Sequence, residues 1–307
     1  MSKFITNKKL GPTIRYSENL KGSLTIPGDK SISQRCLLLG LISIGETIIT
    51  NILESEDVYS TLKAIKLLGA KVKIREPNIY ITGVGVGGIS TPSKIINMGN
   101  SGTGCRLLMG IIAGSSSSAI ITGDKSLSSR PMNRIIEPLE KMGAEIKASE
   151  NMTLPISITG AFCRGFLMPI NYETNVASAQ VKSSIILAGL SARGVTSVKE
   201  PFQSRDNTER LLSRFGGKII TKHYQNKSYK VSIYGDAELR GADIIVPGDP
   251  SSASFFAVAA IISKKSRVIL KNVYMNPLRF EIFNILKKMG ANIKIDKKIV
   301  DGEYCAD

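Results

Sequence analysis

The sequence predicts an α/β fold built from repeated βαβαββ-type units of about 73 residues, and two kinds of recurrence indicate it. Four similar helical segments end in glycines that are almost equally spaced along the chain: Gly69, Gly143, Gly216 and Gly290. A Pro-Gly-Asp turn recurs at Pro27 and Pro247, which are separated by three such spacings. A repeat of this length with mixed elements is a small folding unit, not a turn of a solenoid. We therefore expect one complete domain of three units, followed by the first unit of a second domain.

Each predicted unit has a first helix, a strand, a second helix and closing strands. The first helices are "SISQRCLLLGLIS", "SGTGCRLLMGIIA", "SAQVKSSIILAGL" and "SSASFFAVAAIIS", and the strands that follow are "ETIITNI", "SSAIITG", "VTSVKE" and "SRVILKN". The second helices end in "LKAIKLLGA", "IEPLEKMGA", "ERLLSRFGG" and "FNILKKMGA", each with amphipathic spacing and a glycine suited to a left-handed C-cap. The alternating segments "AKVKI", "AEIKA", "GKIIT" and "ANIKI" predict short strands after them.

Composition limits the classes of protein to consider. The chain has 307 residues, 42% of them apolar, and no apolar run of the roughly 18 to 20 residues that span a membrane, so we expect a cytoplasmic protein. The four cysteines are far apart in the sequence, without the paired spacing of a metal or disulfide motif, and there is one histidine. These observations argue against a zinc site or a disulfide framework. The net charge of +16 fits solvated lysine-rich faces, polyanionic small substrates or nucleic acid. Dispersed cations and 6% aromatic residues make nucleic acid the weakest of these three interpretations.

One glycine-rich stretch imitates a dinucleotide-binding motif. The segment "GVGVGG", residues 83–88, matches GxGxxG by letter. That motif requires a helix directly after the glycines, so that the helix N-terminus can hold the pyrophosphate. Here "ISTPSK" follows, with Pro92 and no helical period, and predicts a surface loop.

The starts of the predicted helices carry the groups that suit anion binding. A helix N-terminus has unpaired N–H groups and a partial positive charge. Ser31 and Arg35 share a face of the first helix, and Lys30 precedes them. Similar polar or small groups stand at or just before the other helix starts: Ser101, Gly102, Gly104, Arg130, Ser178, Gln180, Lys182 and Arg205. Each alone fits ordinary capping, with Pro131 as a favoured first helical residue after Arg130. Together they predict a site for one or two small molecules that carry phosphate or carboxylate groups.

Six segments in order resemble the 5-enolpyruvylshikimate-3-phosphate synthase family, nearest its bacterial class II branch. They are "PGDKSISQR", "GNSGTGCRL", "GDKSLSSRPM", "ASAQVKSSIILAGL", "SRDNTERLL" and "VPGDPSSASFF". The resemblance runs from about residue 20 to the last residue. It implies the enolpyruvyl transferase fold, with the site in a cleft between two three-unit domains. On this basis we expect a complete substrate-binding domain at 23–241, with 1–22 and 242–307 forming an incomplete second domain.

The resemblance also implies the role of particular residues and the reaction. Shikimate-3-phosphate would be held by Lys30, Ser31, Arg35, Ser178, Ala179, Gln180 and Arg205. Phosphoenolpyruvate would be held by Lys30, Gly102, Arg130 and Gln180. The family transfers the enolpyruvyl group to the 5-hydroxyl of shikimate-3-phosphate and releases phosphate, in the shikimate pathway of aromatic amino-acid biosynthesis. It uses no metal or other cofactor, and we expect a monomer with no nucleic-acid or membrane partner. Lys30 would act catalytically by electrostatics and proton transfer.

One catalytic group of the family is not found in these residues. The family's base is an aspartate of a fifth unit, and the family has six units, whereas this sequence ends after the fourth. We therefore expect weak substrate binding and little or no turnover from this form, and a truncated, non-catalytic anion-binding remnant is the alternative. Gln34 and Asn207 replace a histidine common in relatives, without a central role. Gly102 is the small residue of glyphosate-sensitive forms. A UDP-N-acetylglucosamine enolpyruvyltransferase is a rival of the same fold, but "PGDKSISQR" argues against it.

Overall fold

The computed structural model describes residues 19–163 and 165–307. The helices of these residues are α1 (Lys30–Leu41), α2 (Glu56–Leu67), α3 (Gly102–Ala113), α4 (Lys125–Ser128), α5 (Asn133–Lys141), α6 (Ala179–Gly189), α7 (Asn207–Arg214), α8 (Pro250–Ile262) and α9 (Glu281–Lys288). A 3₁₀ turn covers Ala161–Cys163. No helix in this described part of the chain is long and apolar enough to cross a membrane.

The strands, in chain order, are short. They are β1 (Lys21–Thr25), β2 (Glu46–Thr50), β3 (Lys71–Arg75), β4 (Asn78–Thr82), β5 (Ile96–Asn97), β6 (Ser118–Thr122), β7 (Glu145–Lys147), β8 (Ile156–Thr159), β9 (Asn171–Glu173), β10 (Val195–Glu200), β11 (Ile219–His223), β12 (Tyr229–Tyr234), β13 (Asp243–Ile245), β14 (Arg267–Lys271), β15 (Val273–Tyr274), β16 (Lys297–Val300) and β17 (Glu303–Ala306).

The first three units each form a four-stranded sheet of the same design. The strand orders are β13-β2-β4-β3, β5-β6-β8-β7 and β9-β10-β12-β11. In each sheet the first of these pairs is parallel, and the other two are antiparallel. The parallel strand of the first sheet is β13, from far along the chain, whereas β1 pairs in parallel with β14 of the fourth unit. The chain therefore exchanges one strand between its first and fourth units.

The two Pro-Gly-Asp turns lie against each other where these strands cross. Asp29 donates its N–H to the Pro247 carbonyl at 2.8 Å, and Asp249 donates to the Pro27 carbonyl at 2.9 Å. The two turns are thus joined by a nearly symmetric pair of backbone hydrogen bonds. The recurrence seen in the sequence corresponds to a real junction between the first and fourth units.

The main hydrophobic core lies around α1, α3 and α6. These helices bury almost all of their residues, and their apolar side chains join those of the three sheets in one cluster. The fourth unit has a smaller cluster of its own, formed by Ile26, Ala253, Val273, Phe280 and Phe283.

The predicted second helices are confirmed as α2, α5, α7 and α9. The glycine after each adopts a left-handed backbone, with φ of 108°, 110°, 84° and 97° at Gly69, Gly143, Gly216 and Gly290. A side chain is strained at such angles, so glycine ends these helices without steric cost.

Two local predictions were wrong. The segment "ANIKI", residues 291–295, is not a strand, because β17 pairs with Lys297–Val300 instead. Ile293 and Ile295 pack against the smaller core. Pro131 is not the first residue of α5, because the N–H of Met132 bonds to the Met152 carbonyl and Met132 becomes the N-cap.

Candidate substrate site

The first part of the site is the start of α1. Asp29 is its N-cap, and the carboxylate accepts a hydrogen bond from the Ile32 N–H at 2.9 Å. Lys30 follows and is exposed, and its ammonium group lies 3.1 Å from the Asp57 carboxylate at the start of α2. An exposed lysine in a weak surface ion pair can exchange this partner for another anion at small cost.

Arg35 lies one turn into α1 and is buried. Its guanidinium donates to the hydroxyls of Ser31, Thr208 and Ser183, at 2.6, 2.7 and 3.2 Å. Burial lowers the pKa of Arg35 to about 10, so the side chain stays protonated at neutral pH. Arg35 therefore brings a permanent charge between α1, α6 and α7 and fixes the position of Ser31.

The start of α3 brings together a glycine and two arginines. A Cβ atom on Gly102 would lie 2.9 Å from an Arg130 guanidinium nitrogen and 3.1 Å from one of Arg106. Arg130 also donates to the side chains of Asn100 and Ser126. A side chain at residue 102 would push the ends of these two flexible arginine side chains aside, so glycine leaves both guanidinium groups next to the helix start. Sequence reasoning missed Arg106, although it stands four residues after Gly102 and so on the same helix face.

The start of α6 is linked to the start of α3. Ser178 is the N-cap of α6, and the amide of Gln180 donates to the Thr103 hydroxyl at 3.0 Å. In the same way, Gln34 of α1 donates to the Ser101 hydroxyl at 2.6 Å. Ser101 is the N-cap residue of α3 as predicted, but its hydroxyl serves this contact and makes no capping hydrogen bond. The starts of all three central helices are therefore joined.

Arg205 and Arg279 complete the charged groups on this side of the molecule. Arg205 is exposed and directly precedes Asp206, the N-cap of α7. Partial burial and the neighbouring charge of Arg279 both lower the pKa of Arg205. The side chain of Arg279 is only 6% exposed, and it pairs with Asp29 at 2.9 Å and Asp249 at 3.0 Å.

Arg279 was also missed, but the repeats contain a signal for it. Arg130, Arg205 and Arg279 stand three, two and two residues before the second helices of their units. An arginine therefore recurs two or three residues before the second helix in three of the units, and this recurrence is visible in the sequence. The site thus combines helix N-termini with several fixed cations, an arrangement that binds phosphate and carboxylate groups.

The sequence that forms this site matches a known protein family. The family model described as "EPSP synthase (3-phosphoshikimate 1-carboxyvinyltransferase)" matches residues 14–304. This chain belongs to the EPSP synthase family. The match includes the starts of α1, α3 and α6 and the arginines before α5, α7 and α9.

Relatives and solved structures agree with this family. A 3-phosphoshikimate 1-carboxyvinyltransferase of Afipia carboxidovorans is 49% identical over 281 residues, covering 91% of this chain and 63% of the relative. One of Rhodopseudomonas palustris is 50% identical over 282 residues, with the same coverage. The structure of EPSP synthase from Acinetobacter baumannii superposes with a TM-score of 0.85 at 44% identity, covering 95% of this chain and 64% of that one. The fold is therefore the enolpyruvyl transferase fold, and the chain spans about 63% of the length of these curated relatives.

Proposed function

We propose that this chain provides substrate-binding groups for the EPSP synthase reaction. In that reaction the enolpyruvyl group passes from phosphoenolpyruvate to the 5-hydroxyl of shikimate-3-phosphate, and phosphate is released. The observation that carries the proposal is the joining of the α1, α3 and α6 starts, with Lys30, Arg130 and Arg205 beside them. Both substrates are small polyanions, which such a set of cations and helix N-termini suits.

Shikimate-3-phosphate is assigned to the starts of α1 and α6. Its phosphate suits the N-terminus of α6 and the exposed Arg205, and Lys30 and Arg35 add positive charge. The proposed contacts are Lys30, Ser31, Arg35, Ser178, Ala179, Gln180 and Arg205. Because Arg35 is buried and bonded to three hydroxyls, its part is mainly to orient Ser31 and to supply charge.

Phosphoenolpyruvate is assigned to the start of α3. The proposed contacts are Lys30, Gly102, Arg130 and Gln180, and Arg106 lies beside the same glycine. Gln180 belongs to both sets because it reaches from α6 to Thr103 on α3. This shared side chain supports the placement of the two substrates side by side.

The proposed chemistry is addition followed by elimination. The 5-hydroxyl oxygen bonds to C2 of phosphoenolpyruvate while C3 gains a proton and the hydroxyl loses one. C3 then loses a proton, the bond from C2 to the phosphate oxygen breaks, and the enol ether and phosphate leave. Fixed cations stabilise the charge that develops on these oxygens, and their rigid placement orients the reactants. Lys30 is exposed enough to approach both substrates.

The domain arrangement of this proposal places residues 23–241 in one substrate-binding domain. Residues 242–307 and the segment 1–22 belong to a second domain, although residues 1–18 lie outside the described residues. The exchanged strands β1 and β13 support a crossing at the two Pro-Gly-Asp turns, a few residues after these bounds.

The test measures binding and turnover in the purified chain. Shikimate-3-phosphate is titrated by calorimetry, and phosphate release and the enolpyruvyl ether are followed with both substrates present. We expect saturable binding, which Lys30→Ala weakens by roughly tenfold because a charge-assisted contact is lost. Any phosphate release should fall at least as much.

Lys63→Ala is the matched control, because Lys63 is an exposed lysine of α2 and its loss changes the net charge equally. It should leave binding and release within about twofold of the parent. Absence of saturable binding in the parent chain, or equal weakening by both variants, would overturn the proposal.

A further inference from the structure

Glu200, the last residue of β10, is a buried carboxylate with an unusual set of partners. One oxygen accepts the Ser178 N–H at 2.7 Å, and the other lies 3.0 Å from the Lys182 ammonium group. Both oxygens lie 2.8 Å from the Ser204 hydroxyl, and one also accepts the Ser204 N–H, at 3.3 Å. This single side chain therefore joins the start of α6 to the loop between β10 and α7.

These two segments carry the groups proposed to hold the shikimate phosphate. Ser178, Ala179 and Gln180 form the start of α6, and Arg205 directly follows Ser204 in the loop. The nearest members of the two segments, Gln180 and Ser204, are 24 residues apart along the chain. The chain order does not determine how far the N-terminus of α6 lies from Arg205. The contacts of Glu200 with Ser178 and Ser204 fix that distance.

Glu200 also determines which N–H groups at the start of α6 have a hydrogen-bond acceptor within the protein. It takes the N–H of the N-cap residue Ser178, and the Ser178 hydroxyl accepts the N–H of Val181 at 3.5 Å. In the part of the chain that the structure describes, no acceptor takes the N–H of Ala179 or Gln180. The N–H groups of Ala179 and Gln180, which lie between the bonded N–H groups of Ser178 and Val181, are therefore available to an anion.

A negative charge beside an anion site would normally weaken binding. Here the Lys182 ammonium group lies 3.0 Å from Glu200 and 2.8 Å from Glu209, and it also donates to the Ser204 carbonyl at 3.4 Å. All three charged side chains are buried. Glu209 also attracts the buried Arg35 guanidinium electrostatically, so two cations, Lys182 and Arg35, face the two carboxylates. The charge of Glu200 is therefore offset within this cluster, and Glu200 can order the N–H groups with less repulsion of a phosphate.

We propose that Glu200 is a positioning residue for the phosphate of shikimate-3-phosphate. It acts through Ser178 and the Ser204–Arg205 loop and does not touch the substrate. This inference rests on the proposed function. It goes beyond that proposal because it assigns phosphate recognition to a buried carboxylate behind the site.

The experiment compares two ligands in two matched variants of the full chain. Glu200→Gln replaces an oxygen acceptor with an amide that faces surrounding donors, whereas Glu209→Gln alters the other buried carboxylate on Lys182. Glu209 contacts neither Ser178 nor Ser204, so it controls for damage to the buried ion pairs. The ligands are shikimate-3-phosphate and shikimate, which has the same ring without the phosphate. Ser204→Ala, a milder change that removes only the hydroxyl, serves if Glu200→Gln does not fold.

We expect Glu200→Gln to bind shikimate-3-phosphate at least about tenfold more weakly, and Ser204→Ala about threefold more weakly. Shikimate affinity should change less than twofold in both, and Glu209→Gln should keep the parent's preference for the phosphorylated ligand. The inference is wrong if the affinities for both ligands fall in proportion, if Glu209→Gln has the same effect as Glu200→Gln, or if Ser204→Ala keeps the parent's affinity. If the parent chain itself does not bind shikimate-3-phosphate, the proposed function fails first and this inference fails with it.

Discussion

The first helices of the four units have similar sequences but differ greatly in burial. α1 and α3 each bury ten of their 12 residues, and α6 buries nine of its 11. α8 occupies the same place in the fourth unit and buries only Pro250 and Ala253 of its 13 residues. Phe255 and Ile262 are 78% and 76% exposed. An apolar helix in this fold is buried by its neighbouring units and not by its own sheet alone.

The close packing of the central helices explains this dependence. A Cβ atom on Gly110 of α3 would lie 2.1 Å from the Ser184 carbonyl oxygen of α6, so the two backbones touch at this glycine. The corresponding residue of α8, nine positions after its N-cap, is Val258, which is 38% exposed. The sequence of a unit provides the apolar face, whereas another unit provides the surface that covers it.

The fourth unit is attached to the others by polar contacts and by Tyr274 of β15, whose side chain lies in the main core. Arg210 of α7 makes a bidentate ion pair with Glu303 of β17: its Nε donates to one carboxylate oxygen at 3.1 Å and its Nη2 to the other at 2.7 Å. Arg279 links the N-cap carboxylates of α1 and α8, Asp29 and Asp249. The fourth unit therefore contrasts with the central helices, which are joined mainly through apolar packing.

The largest expected effect is the loss of this arginine link. In Arg279→Met, the completely buried Asp29 loses its ion-pair partner, and removal of one partner of a buried pair costs about 3–5 kcal/mol of unfolding free energy. The measurement is urea unfolding followed by circular dichroism. Arg267→Met, which removes the same charge from an exposed position of β14, should cost less than about 0.5 kcal/mol.

The deficit of Arg279→Met should shrink as the pH falls. Burial raises the pKa of Asp29 above 3.8, and Arg279 opposes this shift, so the variant raises the pKa further. A carboxyl with a raised pKa binds more protons in the folded than in the unfolded state, and lower pH then favours folding. Unfolding free energies measured between about pH 7.5 and about pH 5 should converge for parent and variant. A deficit that is constant over this range would show that the cost of the variant does not come from the ionised Asp29 carboxylate.

Much of the fold could be predicted from the sequence because the helices and strands of each unit are marked by local sequence patterns. Amphipathic spacing and the terminal glycines located the second helices, as at Gly143 and Gly216, since these signals are local. The segment 291–295 was predicted as a strand from its alternation alone. Whether it pairs depends on the register of its neighbour β17. The backbone hydrogen bonds of that pairing reach Asp296 and do not include residues 291–295, and no local pattern encodes that register.

The candidate site could be predicted where a residue stands at a helix start. Ser31 and Arg35 share a face and are in contact, as their spacing of four residues requires. The roles of Glu200 and Arg279 could not be found in this way, because their partners come from distant segments. Three-dimensional contact, unlike sequence spacing, joins Glu200 to Ser178 and Arg279 to Asp29.

A matched pair of truncations tests the contrast between α3 and α8. Leu107 and Phe255 both stand six residues after the N-cap of their helix, but Leu107 is completely buried and Phe255 is 78% exposed. Leu107→Ala should lower the free energy of unfolding by about 3 kcal/mol because it leaves a cavity in the main core. Phe255→Ala should change it by less than about 0.5 kcal/mol. Urea unfolding of both variants measures the difference.

Equal costs in this pair would contradict the comparison. A cost of several kcal/mol for Phe255→Ala would mean that α8 is covered in solution, for example by a second copy of the chain. Sedimentation of the parent chain at two concentrations would then show whether a second copy of the chain covers α8. A small cost for Leu107→Ala would mean that the central helices repack easily around the lost side chain.

The smallest expected difference, about 1–2 kcal/mol in local opening free energy, can be measured with the chain's own cysteines. Cys36 of α1 and Cys105 of α3 are buried, and burial raises the pKa of each to about 12. Cys305 of β17 is also buried, with its pKa raised to about 11, but it lies in the small three-stranded sheet of the fourth unit. A folded chain protects all three, because the thiolate is the reactive form, whereas the exposed Cys163 reacts at once and serves as the positive control. Under iodoacetamide pulses at rising urea, Cys305 should react before Cys36 and Cys105, as read by mass spectrometry of the peptides.

Simultaneous reaction of all three would mean that the polar contacts of Arg210 and Arg279 make the fourth unit open together with the central helices, despite the exposure of α8.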